Sequence, residues 1–159
     1  MKTFTVAFFG HRYIDDFFNV ENALECNIRK LINDKMYVEF LVGRNGDFDQ
    51  MVSSVVLRTR RNLGNNNSSL VLVLPYSTSE FENNEDSFYN YYNEIEICEE
   101  AAKSHYKSAI QIRNRSMVDR SDLVICYVKE KEGGAHQTVQ YAKSKNKAII
   151  NLYEILNKP

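Results

Sequence analysis

The sequence contains no apolar stretch near the ~20 residues that a helix needs to cross a bilayer. It also has no excess of either charge: 20 Lys and Arg stand against 21 Asp and Glu, a formal net charge of −1. The first absence excludes a membrane-spanning helix and leads us to expect a cytoplasmic protein. The second removes the bulk electrostatic footprint of a DNA- or membrane-binding surface, so DNA is an unlikely partner on this reading and no membrane is expected. Its three cysteines, Cys26, Cys98 and Cys126, are far apart and form no CxxC or Cys/His spacing. Neither a disulfide framework nor a metal site is expected, and no cofactor. Three catalytic signatures are missing as well. There is no GxSxG elbow, no GxxxxGK[ST] phosphate loop, and no GxGxxG after the first apolar run, which disfavours serine hydrolases, P-loop enzymes and standard dinucleotide oxidoreductases.

What is present is the composition of a globular domain: 159 residues, 43% hydrophobic and 26% charged. A chain of this length fits one domain, residues 1–159, and buries roughly two-thirds of the surface exposed by its unfolded form. Lys2 followed by the apolar run Thr3 to Phe9 resembles the start of a secretory signal. The run is short, has no small-x-small cleavage site and leads into Gly-His-Arg, so it reads as a buried strand.

Short runs rich in Val, Ile and Phe alternate with stretches of helical period, the pattern of a parallel sheet flanked by helices. Strands are expected at Phe4–Phe9, Tyr37–Val42, Ser69–Leu74, Glu94–Cys98, Leu123–Val128 and Ala148–Leu152. Val20, Leu24, Ile28 and Ile32 mark one helical stripe, with Asn19 as its expected N-cap. Further helices are expected at about Asp47–Leu63, Ser104–Arg120 and Gly133–Lys145, with one turn in the tail Tyr153–Pro159. Gly64–Asn67 is a turn. The acidic, Asn/Ser-rich segment Ser77–Asp86 reads as a mobile surface loop and a lid candidate. Phe88, Tyr89, Tyr91 and Tyr92 read as a satellite core under that loop, in preference to a base-stacking platform. The fold class is therefore α/β, a Rossmann-like three-layer sandwich with a mostly parallel sheet.

In such a sheet, ligands bind beyond the carboxyl ends of the strands, and the polar motifs of this sequence fall there. The first strand delivers Gly10, His11 and Arg12; the second delivers Gly43, Arg44, Asn45 and Asp47. The fifth leads through Lys129–Glu132 to Gly133, Gly134 and Ala135. A Gly-Gly turn before a helix allows close backbone approach and aims free N–H groups at an anion. Arg12 offers a bidentate fork to phosphate or carboxylate. Asp47 suits the N-cap of the second helix better than a ligand contact. On the helix before the fifth strand, Arg113 and Arg115 are candidates to neutralise phosphate, although Arg115 and Asp119 are also spaced for an intrahelical ion pair. His105 and His136 have no nucleophile or metal partner.

Three segments together carry a family resemblance: Phe8-Phe9-Gly10-His11-Arg12, the run Arg113 to Asp122, and Gly133-Gly134-Ala135 with Thr138, Tyr141 and Ala142 after it. The chain resembles the SLOG superfamily, Rossmann-like domains that include the Lonely Guy phosphoribohydrolases and DNA processing protein A, in an uncharacterised bacterial or phage branch. The resemblance implies a pocket for a nucleotide or nucleotide-derived small molecule, with the Gly-Gly turn holding phosphate, the arginine-bearing helix as a wall and Thr138 among the ligand-binding residues. It also implies a tendency to self-associate, for which the Tyr cluster is the candidate interface. The hydrolase members pair a catalytic arginine, here Arg113 or Arg115, with a glutamate after Gly-Gly-x-Gly-Thr-x-x-Glu. This chain has Gly133-Gly134-Ala135-His136-Gln137-Thr138-Val139-Gln140-Tyr141 and no glutamate there. Glycosidic cleavage needs a placed carboxylate, so binding or sensing is favoured over a phosphoribohydrolase or nucleotide-sugar hydrolase, with Glu130 or Glu132 as substitutes in the latter case. A protein-interaction module with a vestigial pocket is the third reading.

Overall fold

A computed structural model describes residues 2–158. Six strands form one sheet in which every neighbouring pair is parallel. They are β1 (Thr3–Gly10), β2 (Tyr37–Val42), β3 (Ser68–Leu74), β4 (Glu94–Ile97), β5 (Leu123–Tyr127) and β6 (Ala148–Asn151). The order across the sheet is β4-β3-β2-β1-β5-β6, so the chain winds outward from β1 in one direction and then restarts at β5 on its other side. The sheet thus reverses its winding between β1 and β5, the place where open α/β sheets leave a crevice.

The central strands are near-continuous apolar runs because helices cover both of their faces. β3, for example, is buried along its whole length. On one face lie α1 (Phe17–Asp34), α2 (Asp47–Leu63) and α8 (Leu152–Leu156), whose stripes pack with Phe8, Phe40 and Leu72. On the other lie α6 (Tyr106–Asp119) and α7 (Gly134–Ser144), preceded by the one-turn α5 (Glu99–Ala102). Met117, Val118, Val139 and Ala142 pack there with Ala7, Phe9 and Val73. Cys126 is buried in this second core, and burial pushes its thiol up to about 12. Among the described residues, no helix is long and apolar enough to cross a membrane.

Three expectations are corrected. The helix after β1 begins at Phe17, two residues before the expected cap; Asp16 holds the N-cap position and accepts from the Asn19 side chain at 3.0 Å. The segment 77–86 is not an irregular loop but mostly two short helices, α3 (Ser79–Asn83) and α4 (Glu85–Tyr91). Thr78 caps the first by accepting from Phe81 N–H, and Phe81, Phe88 and Tyr92 carry the pair into the main core. Of the aromatic cluster, Phe88 and Tyr92 are thus part of the main core rather than of a separate satellite, while Tyr89 and Tyr91 are exposed. Gly46, not Asp47, occupies the N-cap of α2. Asp47 instead accepts from Ile14 N–H at 3.2 Å while donating its own N–H to the Arg12 carbonyl at 2.8 Å. It ties the loop after β1 to the start of α2.

Candidate functional site

A cleft of about 200 Å³ opens at the carboxyl ends of β1 and β2, beside the reversal point. Its lining includes Gly10 at the end of β1, Gly43 and Asn45 after β2, Gln111, Arg113 and Asn114 of α6, and Gly134 and Ala135 at the start of α7. His11 and Arg12 form the rim. Of the residues singled out in the sequence, the cleft thus collects Gly10, His11, Arg12, Gly43, Asn45, Arg113, Gly134 and Ala135.

Arg113 is the unusual member. It is only 2% exposed, and among the described residues no carboxylate lies within ion-pair distance of it. Its Nη1 donates to the Val73 carbonyl at 2.9 Å and its Nε to Asn114 Oδ1 at 3.0 Å. With the Asn45 amide turned to satisfy its neighbours, Nη2 donates to Asn45 Oδ1 at 2.7 Å. A planar guanidinium anchored at three nitrogens cannot swing out to solvent. The bare backbone of Gly43 makes room for it: a Cβ there would stand 2.9 Å from Nη1 and 3.1 Å from Cζ. Burial lowers the affinity of Arg113 for its proton, and Asp49, across the cleft wall, opposes that shift.

Asp49 is the carboxylate of the cleft lining. It accepts from Asn45 N–H at 2.9 Å, and burial pushes its carboxyl above the usual aspartate range. The sequence reading missed it because an acid in the first turn of a helix is the ordinary complement to the helix dipole. Gln111 and Asn114 were missed too, although a signal existed. The inward positions of α6 carry Arg113 and Asn114 between Ala109 and Met117, and polar side chains on a core-facing stripe require a partner.

At the start of α7, Gly133 adopts φ 97°, a left-handed conformation open to glycine, and turns the chain into the helix. No side chain caps this helix, and its first internal bond is Gln137 N–H to the Gly133 carbonyl at 3.0 Å. The N–H groups of Gly134, Ala135 and His136 therefore have no acceptor within the helix. Thr138, fully buried, accepts from Asn114 Nδ2 at 3.1 Å and donates to the Gly134 carbonyl at 3.0 Å. It lies behind the cleft lining and couples α6 to the Gly-Gly turn.

His11 holds the rim together. Its Nε2 accepts from two backbone N–H groups, Lys129 at 2.8 Å and Glu130 at 3.1 Å, which requires a neutral ring with its proton on Nδ1. Burial lowers its pKa, consistent with that state.

Two arginines lie elsewhere. Arg44 turns away from the cleft and forms a two-nitrogen contact with Glu80 of α3 at 2.9 and 3.2 Å, with Tyr92 Oη accepting at 3.0 Å. Arg115 does not line the cleft, and the expected pair with Asp119 is not formed. Its guanidinium lies 5.4 Å from the centre of the Tyr141 ring, while Asp119 accepts from Tyr141 Oη at 2.6 Å. Glu130 borders the hollow beyond the rim rather than the cleft, and Glu132 is exposed.

No family model and no curated protein matches this sequence. Solved structures do. DNA processing protein A from Streptococcus pneumoniae superposes with a TM-score of 0.65 at 15% identity, covering 92% of this chain and 49% of that one. DNA processing protein A from Helicobacter pylori, whose structure bears on a unique single-stranded DNA binding mode, gives 0.65 at 18% identity over 92% and 63% of the two chains. This chain thus spans between about half and two-thirds of the length of these neighbours. The expectation that DNA is an unlikely partner, drawn from net charge, is corrected: a protein that shares this fold, the Helicobacter pylori one, binds single-stranded DNA. The Rossmann-like α/β fold is established, and it is shared with DNA processing protein A.

Proposed function

We propose that this protein binds a nucleotide or nucleotide-derived small molecule at the carboxyl ends of β1, β2 and β5, with the phosphate between Arg113 and the N-terminus of α7. The observation that carries the reading is the buried charge of Arg113, which has no carboxylate within ion-pair distance among the described residues and only Asp49 as a counter-charge beyond it, facing a cleft that also receives uncapped helix N–H groups. A buried cation is costly unless an anion or a dense set of hydrogen bonds compensates it. Here the protein supplies only neutral oxygens within bonding distance. With the Asp49 carboxyl pushed by burial toward its neutral form, a phosphate in the cleft compensates Arg113 and accepts from the α7 N–H groups at the same time.

Gly134→Asp tests this directly. A Cβ at Gly134 approaches only the flexible end of Gln111, at 3.1 Å, and an acid in the first turn favours the helix. The variant should fold with unchanged or raised stability yet repel phosphate. In a thermal-shift screen against nucleotides, cyclic dinucleotides, ADP-ribose derivatives and nucleotide sugars, a ligand at about a hundred times its Kd stabilises the wild type by roughly 2.7 kcal/mol, several degrees. That shift should vanish in Gly134→Asp, and retained affinity would remove the phosphate site.

Single-stranded DNA is the second reading, favoured by the Helicobacter pylori neighbour. Its signature is an affinity for oligodeoxynucleotides that falls steeply with salt and exceeds that for any mononucleotide.

A further inference from the structure

The rim of the cleft is not an edge but a crest. On the far side of His11 and Arg12 lies a second, wider hollow of about 460 Å³, bounded by Tyr13, Ile14 and Asp15 from the loop after β1 and by Tyr127, Lys129 and Glu130 from the end of β5. Both concavities share His11 and Arg12, so one molecule can pass from one to the other over them. The two differ in chemistry. The cleft is narrow, polar and governed by Arg113. The hollow is broad and bounded by two tyrosines and an isoleucine.

Its charges also cancel. Arg12 and Lys129 face Asp15 and Glu130, and Lys129 Nζ is already bonded to Asp15 at 3.1 Å. Such a hollow has no preference for a second phosphate, whereas a flat neutral group loses little there and gains aromatic contact. Tyr127 belongs to the core and gives the hollow a fixed base: it is 3% exposed, with its ring edge-on to His11 at 6.3 Å and to Tyr153 of α8 at 5.8 Å. Tyr13, by contrast, is 81% exposed. An aromatic ring left in water beside a site contributes nothing to the core and is free to stack.

We infer that this hollow is a base subsite: the planar base of the ligand lies against the exposed ring of Tyr13, while its sugar crosses Arg12 to a phosphate in the cleft. The inference rests on the phosphate reading above and specifies what is attached to that phosphate. It also accounts for the size of the cleft, which then receives only the phosphate and sugar. Because the contact is with the ring face of Tyr13, which every base can stack on, the subsite tolerates different bases.

The test compares adenosine 5′-monophosphate with ribose 5-phosphate by titration calorimetry on the wild type, Tyr13→Ala and Tyr13→Phe. Tyr13 is so exposed that neither variant should disturb folding. Stacking of one base predicts that the wild type prefers the nucleotide by about five- to a hundredfold. Tyr13→Ala should erase most of that preference and leave the affinity for ribose 5-phosphate unchanged, and Tyr13→Phe should restore it. Equal affinity for the two compounds in the wild type, or a preference untouched by Tyr13→Ala, overturns the base subsite and leaves the phosphate site standing. If neither compound binds, an oligodeoxyadenylate of about ten nucleotides decides. Binding that Tyr13→Ala weakens assigns the base to a strand rather than a free nucleotide; no binding overturns both readings.

Discussion

Two arginines, one in the cleft and one just outside it, have taken opposite positions. Arg113 is buried, with neutral oxygens at three of its nitrogens and no carboxylate in ion-pair range among the described residues. Arg44, one residue beyond a wall of the same cleft, is partly exposed and held by the Glu80 carboxylate, the Tyr92 hydroxyl and the face of Phe88, whose ring centre is 4.8 Å away. From sequence alone both are a basic residue near a strand end. What separates them is compensation: Arg44 is stabilised as a cation within the protein, by Glu80 above all, and its affinity for its proton is raised. Arg113 is held in place without being neutralised. A fixed cation whose one counter-charge, Asp49, lies beyond ion-pair distance is a receptor for an anion, and one bonded directly to a carboxylate is a structural tie.

Removal of the two side chains should separate these roles most clearly. Arg113→Ala strips donors from a buried backbone carbonyl and two amide oxygens, and should lower stability by about 2–4 kcal/mol. Urea denaturation measures this, and ligand binding should be lost together with it. Arg113→Lys keeps the charge but cannot span Val73, Asn114 and Asn45 at once, so it should recover part of the stability and little of the affinity. If Arg44→Ala proves more costly than Arg113→Ala, the distinction fails.

Gly43→Ala probes the same pair from the backbone. The added methyl would stand about 3 Å from the Arg113 guanidinium, and with that group pinned on its far side the clash has no cheap release. We expect a loss of about 1–3 kcal/mol and weakened ligand binding. Arg44, whose side chain points the other way, should keep its contact with Glu80. An unperturbed thermal midpoint in Gly43→Ala would mean that Arg113 is free to move and is not a fixed receptor.

How far this contrast could be read from the sequence depends on length scale. The strands were legible because burial on both faces writes an unbroken apolar run, as in Leu70–Leu74. The glycine-rich strand ends were legible because the turn chemistry is local. The α3–α4 pair was not, since each helix is short and sends a single large side chain inward, Phe81 or Phe88, among exposed acidic residues. Their seven-residue separation was the faint helical signal. The directions of Arg44 and Arg115 were not legible either, because they depend on Glu80 and Tyr141, residues distant in sequence that only the fold brings near.

The rim responds to pH in a direction set by His11. Its folded pKa is lowered by burial, so below its unfolded value of about 6.5 the unfolded chain takes up a proton that the folded chain refuses. Stability from this residue is complete above that value and declines as the pH falls from it toward the folded pKa. Protonation of Nε2 also breaks both bonds to Lys129 and Glu130. His11→Gln, which retains a neutral acceptor, should flatten the dependence of the urea midpoint between neutral pH and about pH 5 at a cost of about 1 kcal/mol or less at neutral pH. An equal slope in both proteins would assign the dependence to other groups.

The smallest effect belongs to the other arginine. Glu80→Gln removes the carboxylate from Arg44 but keeps an acceptor at the same place, and the pair is exposed enough for water and salt to screen it: the Glu80 side chain is 56% exposed. A cost of about 0.2–1 kcal/mol is expected, shrinking at high salt. Binding of nucleotides in the cleft should be unchanged, since Arg44 faces α3 and α4 and remains packed on Phe88 and bonded to Tyr92. The informative result is the opposite one. If Glu80→Gln strengthens binding, Arg44 has been released toward the cleft, and its compensation by Glu80 is a restraint on the site rather than a tie within the fold.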